Sequence, residues 1–260
     1  MSLIERDLNH IWHPCAQMKD YETFAPLPIK HARGNRITLM DNTTIIDAIS
    51  SWWCKSLGHA EPRIQQALTQ QMQTFEHVML ANTTNETIVE LSEQLALLAP
   101  PLNKVMYASD GSCAVEIALK MSIHAQQLAG HLKKTRFMAL ANDYHGETCL
   151  ALSVSDVGLY KQPYQALLTP CEFITSIPYV NGEEDPLWHN CADHWQKAEI
   201  QLQKNHHQLA AIIVEPILQG AAGMKIYSAD FLRRLAIWCK EYNSINGFCM
   251  IAKISCFSQS

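Results

Sequence analysis

Four short clusters in this 260-residue chain combine residue types that can do chemistry with places where a ligand could reach them. Ser109-Asp110-Gly111-Ser112 falls between a short apolar run and a helical pattern. Backbone N–H groups at a helix start, with the Ser112 hydroxyl and no side chain at Gly111, suit a phosphate. A capped turn that holds nothing accounts for the same residues. Tyr144-His145-Gly146 follows the apolar segment 135–140, so it lies where the ends of parallel strands bind ligands. The Tyr144 ring can stack on a planar group, and His145 can supply a proton or a hydrogen bond. A glycine-containing loop around a packed aromatic is the plain alternative.

Glu215-Pro216 closes the most apolar run of the chain. A carboxylate there belongs in a crevice more readily than in a core, because burying an unpaired charge is expensive. Trp52-Trp53, beside Ser50-Ser51, place two large rings together. Read as a strand, they point to opposite sides, so at most one is core if the other lines a pocket; packing alone also explains them.

Other chemistries find less support. His10 with His13, and His206 with His207, lack a third partner at metal-ligand spacing, so no metal is assigned. No serine sits in a GxSxG elbow, and there is neither a P-loop nor a GxGxxG turn. With 20 Lys and Arg against 25 Asp and Glu, a net charge of -5 and no basic stripe, the chain carries no nucleic-acid footprint. Apolar runs are too short to cross a bilayer and the first ten residues contain no signal-peptide core, so the expectation is a cytoplasmic chain with no membrane partner. Nine cysteines contain no CxxC pair, and most of them read as reduced, small apolar fillers.

These clusters need elements to hold them. Residues 36–50 alternate about a polar turn at Asp41-Asn42 and read as a hairpin. Pro62 opens a helix with Ile64, Leu68, Met72 and Phe75 on one face, and a second runs from about Asn85 to the Pro100-Pro101 stop, with both expected to cover a core. A strand at 104–108, a helix carrying Val115, Leu119 and Ile123, and a strand at 135–140 form a crossover. A strand at 173–180, a helix at 192–208 and a doubly buried strand at 210–214 follow, then a Ser228-capped helix to about Lys240. After Glu241 the strand pattern is expected to stop, with Gly247 interrupting it.

Taken in order, IWHP (11–14), SSWW (50–53), HVM (77–79), SDGSCAVEIALKM (109–121), YHGET (144–148) and IIVEPILQGAAGM (212–224) resemble the class III, pyridoxal-phosphate-dependent aminotransferases. IWHP and SSWW point to the biotin-pathway branch, and the likeness covers Asn9 to about Tyr242. The resemblance implies an α/β fold: a truncated fold type I transferase with a mostly parallel sheet flanked by helices, homodimeric in the family. It divides the chain into 1–50, contributing to a small domain; 51–242, a partial large cofactor-binding domain; and an aberrant tail, 243–260. Gly111 and Ser112 would hold the phosphate of pyridoxal 5'-phosphate, Tyr144 would stack on its ring, and His145 and Glu215 would lie beside it. Trp52, Trp53 and Tyr144 would line the substrate path. The implied reaction moves an amino group from S-adenosylmethionine to 8-amino-7-oxononanoate, giving 7,8-diaminononanoate.

The sequence departs from that pattern in two places. After the Ser228 helix the family has an Asp-Glu strand, later the cofactor lysine, and near its end an arginine for the substrate carboxylate. Here Lys253 is the single lysine after Tyr242 and lacks the surrounding motif, so no catalytic residue is assigned. Cys15 also stands where the family has a tyrosine. The expectation is a chain cut by a frameshift, premature stop or incomplete gene model, inactive and poorly soluble. The alternatives are a non-catalytic remnant, a partial subunit, or another class III ω-amino acid aminotransferase.

Overall fold

A computed structural model describes residues 1–100 and 102–242, with Phe248–Cys249 as backbone; the readings of Pro101, Gly247 and Lys253 lie outside the described residues. The chain divides into two compact units, 1–98 and a second that begins at Ala99.

The first unit opens with α1 (Leu3–His10), whose Ser2 hydroxyl and Glu5 carboxylate cap each other's backbone N–H. Three antiparallel strands follow in the order β1 (Ile29–Arg33), β2 (Arg36–Leu39), β3 (Thr44–Ile46). The hairpin turns where expected: the Asp41 carboxylate accepts the Thr43 N–H at 2.8 Å and Asn42 takes a φ of 70°. Next come a left-handed turn, α2 (Ser50–Trp53), then α3 (Pro62–Met72) and α4 (Glu86–Leu98). Pro62 starts α3, and the Asn85 side chain accepts the Ile88 N–H at 3.1 Å to start α4.

These two helices do not behave as expected. Neither contributes a buried residue, and Leu68 is 60% exposed. Among the described residues of this unit, Leu39 is the one buried apolar side chain.

In the second unit Asp110 caps α5 (Gly111–Leu128) through the Cys113 N–H. After it come β4 (Arg136–Leu140), α6 (Cys149–Ser153), β5 (Cys171–Ile174), β6 (Tyr179–Val180), α7 (Pro186–His189) and α8 (Ala192–Asn205). Then follow β7 (Leu209–Ile213), β8 (Leu218–Gln219), β9 (Lys225–Tyr227), the Ser228-capped α9 (Ala229–Glu241) and β10 (Phe248–Cys249). Strands β10, β7, β4 and β5 form a parallel sheet in that order, and β6, β9 and β8 a small antiparallel one.

Both faces of the parallel sheet are covered, as the run at 210–214 predicts. Met138, Leu140, Ile212 and Val214 pack with Trp195, Leu202, Phe231, Leu235 and Trp238 from α8 and α9. Phe137, Ala139, Ala211 and Ile213 turn the other way onto Val115 and Leu119 of α5. That alternation buries every residue of β7. No helix among the described residues is long and apolar enough to cross a membrane.

Four local expectations are corrected. Residues 104–108 form no strand, because an extended run becomes one only by pairing and these have no ladder partner among the described residues. The strand expected at 173–180 is two strands in different sheets. Pro178 between them has no N–H to give, and tight bonds from Ile177 to Thr175 and from Tyr179 to Ile177 bend the chain. Pairing does not stop after α9: Phe248 and Cys249 pair in parallel with Ile212 and Ile213. Finally, fewer cysteines fill the core than expected: of the seven described, Cys191 and Cys239 are buried, Cys113 and Cys171 half-buried, and Cys15, Cys54 and Cys149 exposed.

Candidate active site

Strands β4 and β7 are hydrogen-bonded neighbours in parallel register, so the segments leaving their carboxyl ends emerge side by side. The first is Asn142-Asp143-Tyr144-His145-Gly146 and the second Glu215-Pro216. Asp143 is fully buried; its Oδ2 accepts the Glu215 N–H at 3.1 Å and its Oδ1 accepts the Gln219 amide at 2.6 Å. Glu215 returns the link: its Oε2 accepts the Tyr144 N–H at 2.9 Å and its Oε1 the Gly220 N–H at 3.2 Å. The two strand ends are thereby laced by carboxylate-to-backbone bonds in both directions.

Supporting contacts fix this lacing. The Tyr227 hydroxyl donates to the Glu215 carbonyl at 2.6 Å, and Gln219 joins Ala141 O, Asp143 and the Tyr179 hydroxyl. Removal from water pushes the Glu215 carboxyl above the usual range, and the Asp143 charge adds to that, while the two backbone N–H groups oppose it. The Tyr227 hydroxyl is driven up for the same first reason, burial.

Tyr144 is half-buried, its hydroxyl donating to Glu147 at 3.1 Å. His145 is buried, its N–H donating to the Ser155 hydroxyl at 2.9 Å. Its Nε2 lies 3.4 Å from Asp143 Oδ2 but makes no hydrogen bond. Gly146 has a φ of 122°, and a Cβ there would run into the Ser112 hydroxyl with Ser112 Cβ at 2.8 Å. Glycine is therefore required twice over, by its backbone and by the approach of α5. Ser112 Oγ in turn accepts the Glu147 N–H at 3.4 Å. The structure thus brings Gly111, Ser112, Tyr144, His145 and Glu215 together at the carboxyl end of the inner strands β4 and β7.

The residues at the start of α5 fit the phosphate of pyridoxal phosphate. A Cβ on Gly111 would meet nothing within 4 Å, so the start of α5 is open beside the Ser112 hydroxyl. His145 Nε2 and Thr148 Oγ1 are buried polar atoms without hydrogen-bond partners, set in the loop against Ser112. Asp110 accepts the Cys113 N–H at 2.9 Å and the Ser109 hydroxyl at 3.0 Å, and these bonds, the Cys113 one foremost, hold its carboxyl below the usual range.

Trp52 and Trp53 belong to the first unit and are 67% and 47% exposed. They do not alternate on a strand: Ser50, Ser51, Trp52 and Trp53 have φ values of 49°, 45°, 62° and 67°, all left-handed. The histidines set aside as metal ligands have other partners: His13 Nε2 meets Asp7 Oδ2 at 2.6 Å and His206 Nδ1 meets Gln203 O at 2.7 Å. Sequence reading missed Asp143, Gln219 and Tyr227. An acid one residue before an aromatic at a strand's exit was the available signal for Asp143.

The chain matches the family model described as aminotransferase class-III over residues 17–246. It is 39% identical over 243 residues to an adenosylmethionine-8-amino-7-oxononanoate aminotransferase from Helicobacter pylori, covering 93% of this chain and 54% of that protein. The crystal structure of an enzyme of the same name from Methanocaldococcus jannaschii superimposes with a TM-score of 0.82 at 29% identity, over 92% of this chain and 52% of that one. A PMP-bound aminotransferase structure from Vibrio fluvialis shares the fold, with a TM-score of 0.82 at 20% identity over 93% and 54% of the two chains. The chain spans about half the length of the curated relatives it matches.

Proposed function

Because the chain belongs to the class-III aminotransferase family, we propose that it holds pyridoxal 5'-phosphate in the β4–β7 crevice. The reaction of the family branch it resembles is transfer of the amino group of S-adenosylmethionine to 8-amino-7-oxononanoate; with no cofactor lysine assigned, this chain is expected to hold the cofactor without turning over. The observation that carries this reading is the lacing of Tyr144, Glu215 and Asp143 beside the open start of α5. The substrates follow from the name of the Helicobacter relative, which the chain resembles over nearly its whole length.

Each residue then has a physical task. The Gly111 and Ser112 N–H groups and the Ser112 hydroxyl bind the phosphate, with the positive end of the α5 dipole behind them. Tyr144 would lay its ring against the pyridine; Glu215 fixes the Tyr144 backbone and Glu147 holds its hydroxyl at 3.1 Å. His145, its Nε2 3.4 Å from Asp143 Oδ2 and its backbone tied to Ser155, would lie beside the cofactor. When bound, pyridoxal phosphate would supply an electron sink for negative charge developing at the amine's α-carbon. Trp52 and Trp53 offer apolar surface to the aliphatic arm of the keto acid. Residues 1–50 would contribute to a small domain and 51–242 to the cofactor-binding one, a boundary different from the compact-unit division after Leu98.

Titrating the full chain with pyridoxal 5'-phosphate tests this, with absorbance and Tyr and Trp fluorescence as readouts. Saturable binding is expected, competed by inorganic phosphate and weakened about tenfold by Ser112→Ala, the loss of one hydrogen bond to a charged group. Absence of saturable binding, or binding indifferent to Ser112 and to phosphate, overturns the reading.

A further inference from the structure

We infer that Asp47 and His59 are positioning residues that hold Trp52 and Trp53 as a preformed aromatic platform. Four consecutive non-glycine residues, Ser50 to Trp53, are left-handed. Each such residue costs on the order of 1–2 kcal/mol, and neither serine nor tryptophan favours that region. Backbone bonds from the Trp53 N–H to Ile49 O at 2.9 Å and from the Lys55 N–H to Ser50 O at 3.0 Å close the turn, and a side chain from outside it fixes Ser51.

The Asp47 carboxylate does so. Its Oδ1 accepts the Ser51 N–H at 2.9 Å, and its Oδ2 accepts the Ser51 hydroxyl at 2.7 Å. The same Oδ2 lies 2.8 Å from His59 Nε2, which also lies 3.3 Å from Ser51 Oγ. A carboxylate only accepts, so Nε2 carries a hydrogen and has no lone pair to take a proton from Ser51. The trio is accordingly a clasp and not a nucleophilic triad.

The clasp is itself anchored on the three-stranded sheet. The Asp47 N–H donates to Asn35 O at 2.9 Å, and His59 exchanges two backbone bonds with Gly34, at 2.8 and 2.9 Å. Gly58, with a φ of 83°, comes so close to Gly34 that a Cβ would sit 3.0 Å from the Gly34 carbonyl oxygen. A line of contacts thus runs from the β1–β2 turn through Asp47 and His59 to the backbone of Ser51, with Trp52 and Trp53 next in sequence. The result is ordered aromatic surface fixed before any ligand arrives, which spares a long apolar chain the entropic cost of organising it. That use rests on the reading that the two tryptophans line the substrate path.

Fluorine NMR of the full chain labelled with 5-fluorotryptophan tests the clasp. Trp12, Trp52, Trp53, Trp188, Trp195 and Trp238 are assigned by single Trp→Phe changes. Asp47→Asn is expected to shift the Trp52 and Trp53 signals to the free amino-acid position while Trp188, Trp195 and Trp238 stay in place. Ser51→Ala should move the same two signals a smaller step in the same direction, and decides the matter if Asp47→Asn disturbs all six. Trp52 and Trp53 signals that ignore both substitutions overturn the inference. Adding 8-aminononanoate separates the two ideas: if it leaves the wild-type signals unmoved while Asp47→Asn still releases them, the substrate reading falls and the clasp stands.

Discussion

The crevice between β4 and β7 and the tryptophan turn at 50–53 are built on opposite principles. In the crevice, Asp143, Gln219 and Tyr227 are fully buried behind a sheet covered on both faces, and polar bonds finish a shape that apolar packing has already set. In the first unit Leu39 alone among the described apolar side chains is buried, and the turn is held by one carboxylate, one imidazole and the ends of a hairpin. One site inherits its rigidity from a core, whereas the other must generate it locally. Mutations should therefore act through packing in the second unit and through single polar contacts in the first.

The sharpest test of that contrast is truncation of a core side chain. Ile213→Ala in β7 should lower unfolding free energy by about 2–5 kcal/mol, whereas Leu68→Ala on exposed α3 should stay within about 0.5 kcal/mol, both read by chemical denaturation. Equal losses would erase the distinction. Gly146→Ala comes next, at about 2 kcal/mol, because it combines a left-handed backbone with the approach of Ser112; it should also abolish phosphate competition for the crevice. Asp110→Ala removes the cap from α5 and should cost about 1 kcal/mol without changing the denaturant slope.

The smallest effect concerns acid. Bonds from Ser51 and His59 hold the Asp47 carboxyl at about 2, below its ordinary 3.8. A lowered carboxyl range means that the folded state binds fewer protons than the unfolded one between those values. Its contribution is therefore complete above about pH 4 and is lost as pH falls toward 2. Melting curves of Asp47→Asn should show a shallower decline across that window than the wild type, and parallel declines would remove the clasp's electrostatic component.

The same contrast explains what could be read from sequence. The run at 210–214 declared itself because a strand buried on both faces leaves no room for polar residues, and Pro62 and Ser228 mark helix starts by local chemistry alone. The tryptophan turn was illegible: Ser-Ser-Trp-Trp contains no residue that prefers a positive φ, and the group that forces it stands four positions before Ser51. Asp143 was passed over because an acid after a strand resembles a solvated loop residue until its two partners, Glu215 and Gln219, are brought to it across the sheet. Residues 104–108 have the composition of a strand, but strand formation is a property of a pair.

One consequence follows from the exposure of Cys54, whose thiol lies 3.5 Å from the Trp52 carbonyl oxygen at the end of the left-handed turn. With the exposed Cys15 and Cys149 replaced by serine, a maleimide dye attached there would sit within quenching range of an indole, making the chain its own optical gauge of whether that loop is cocked or slack. Cys191 and Cys239, sealed in the interior, would remain unlabelled until the second unit opened.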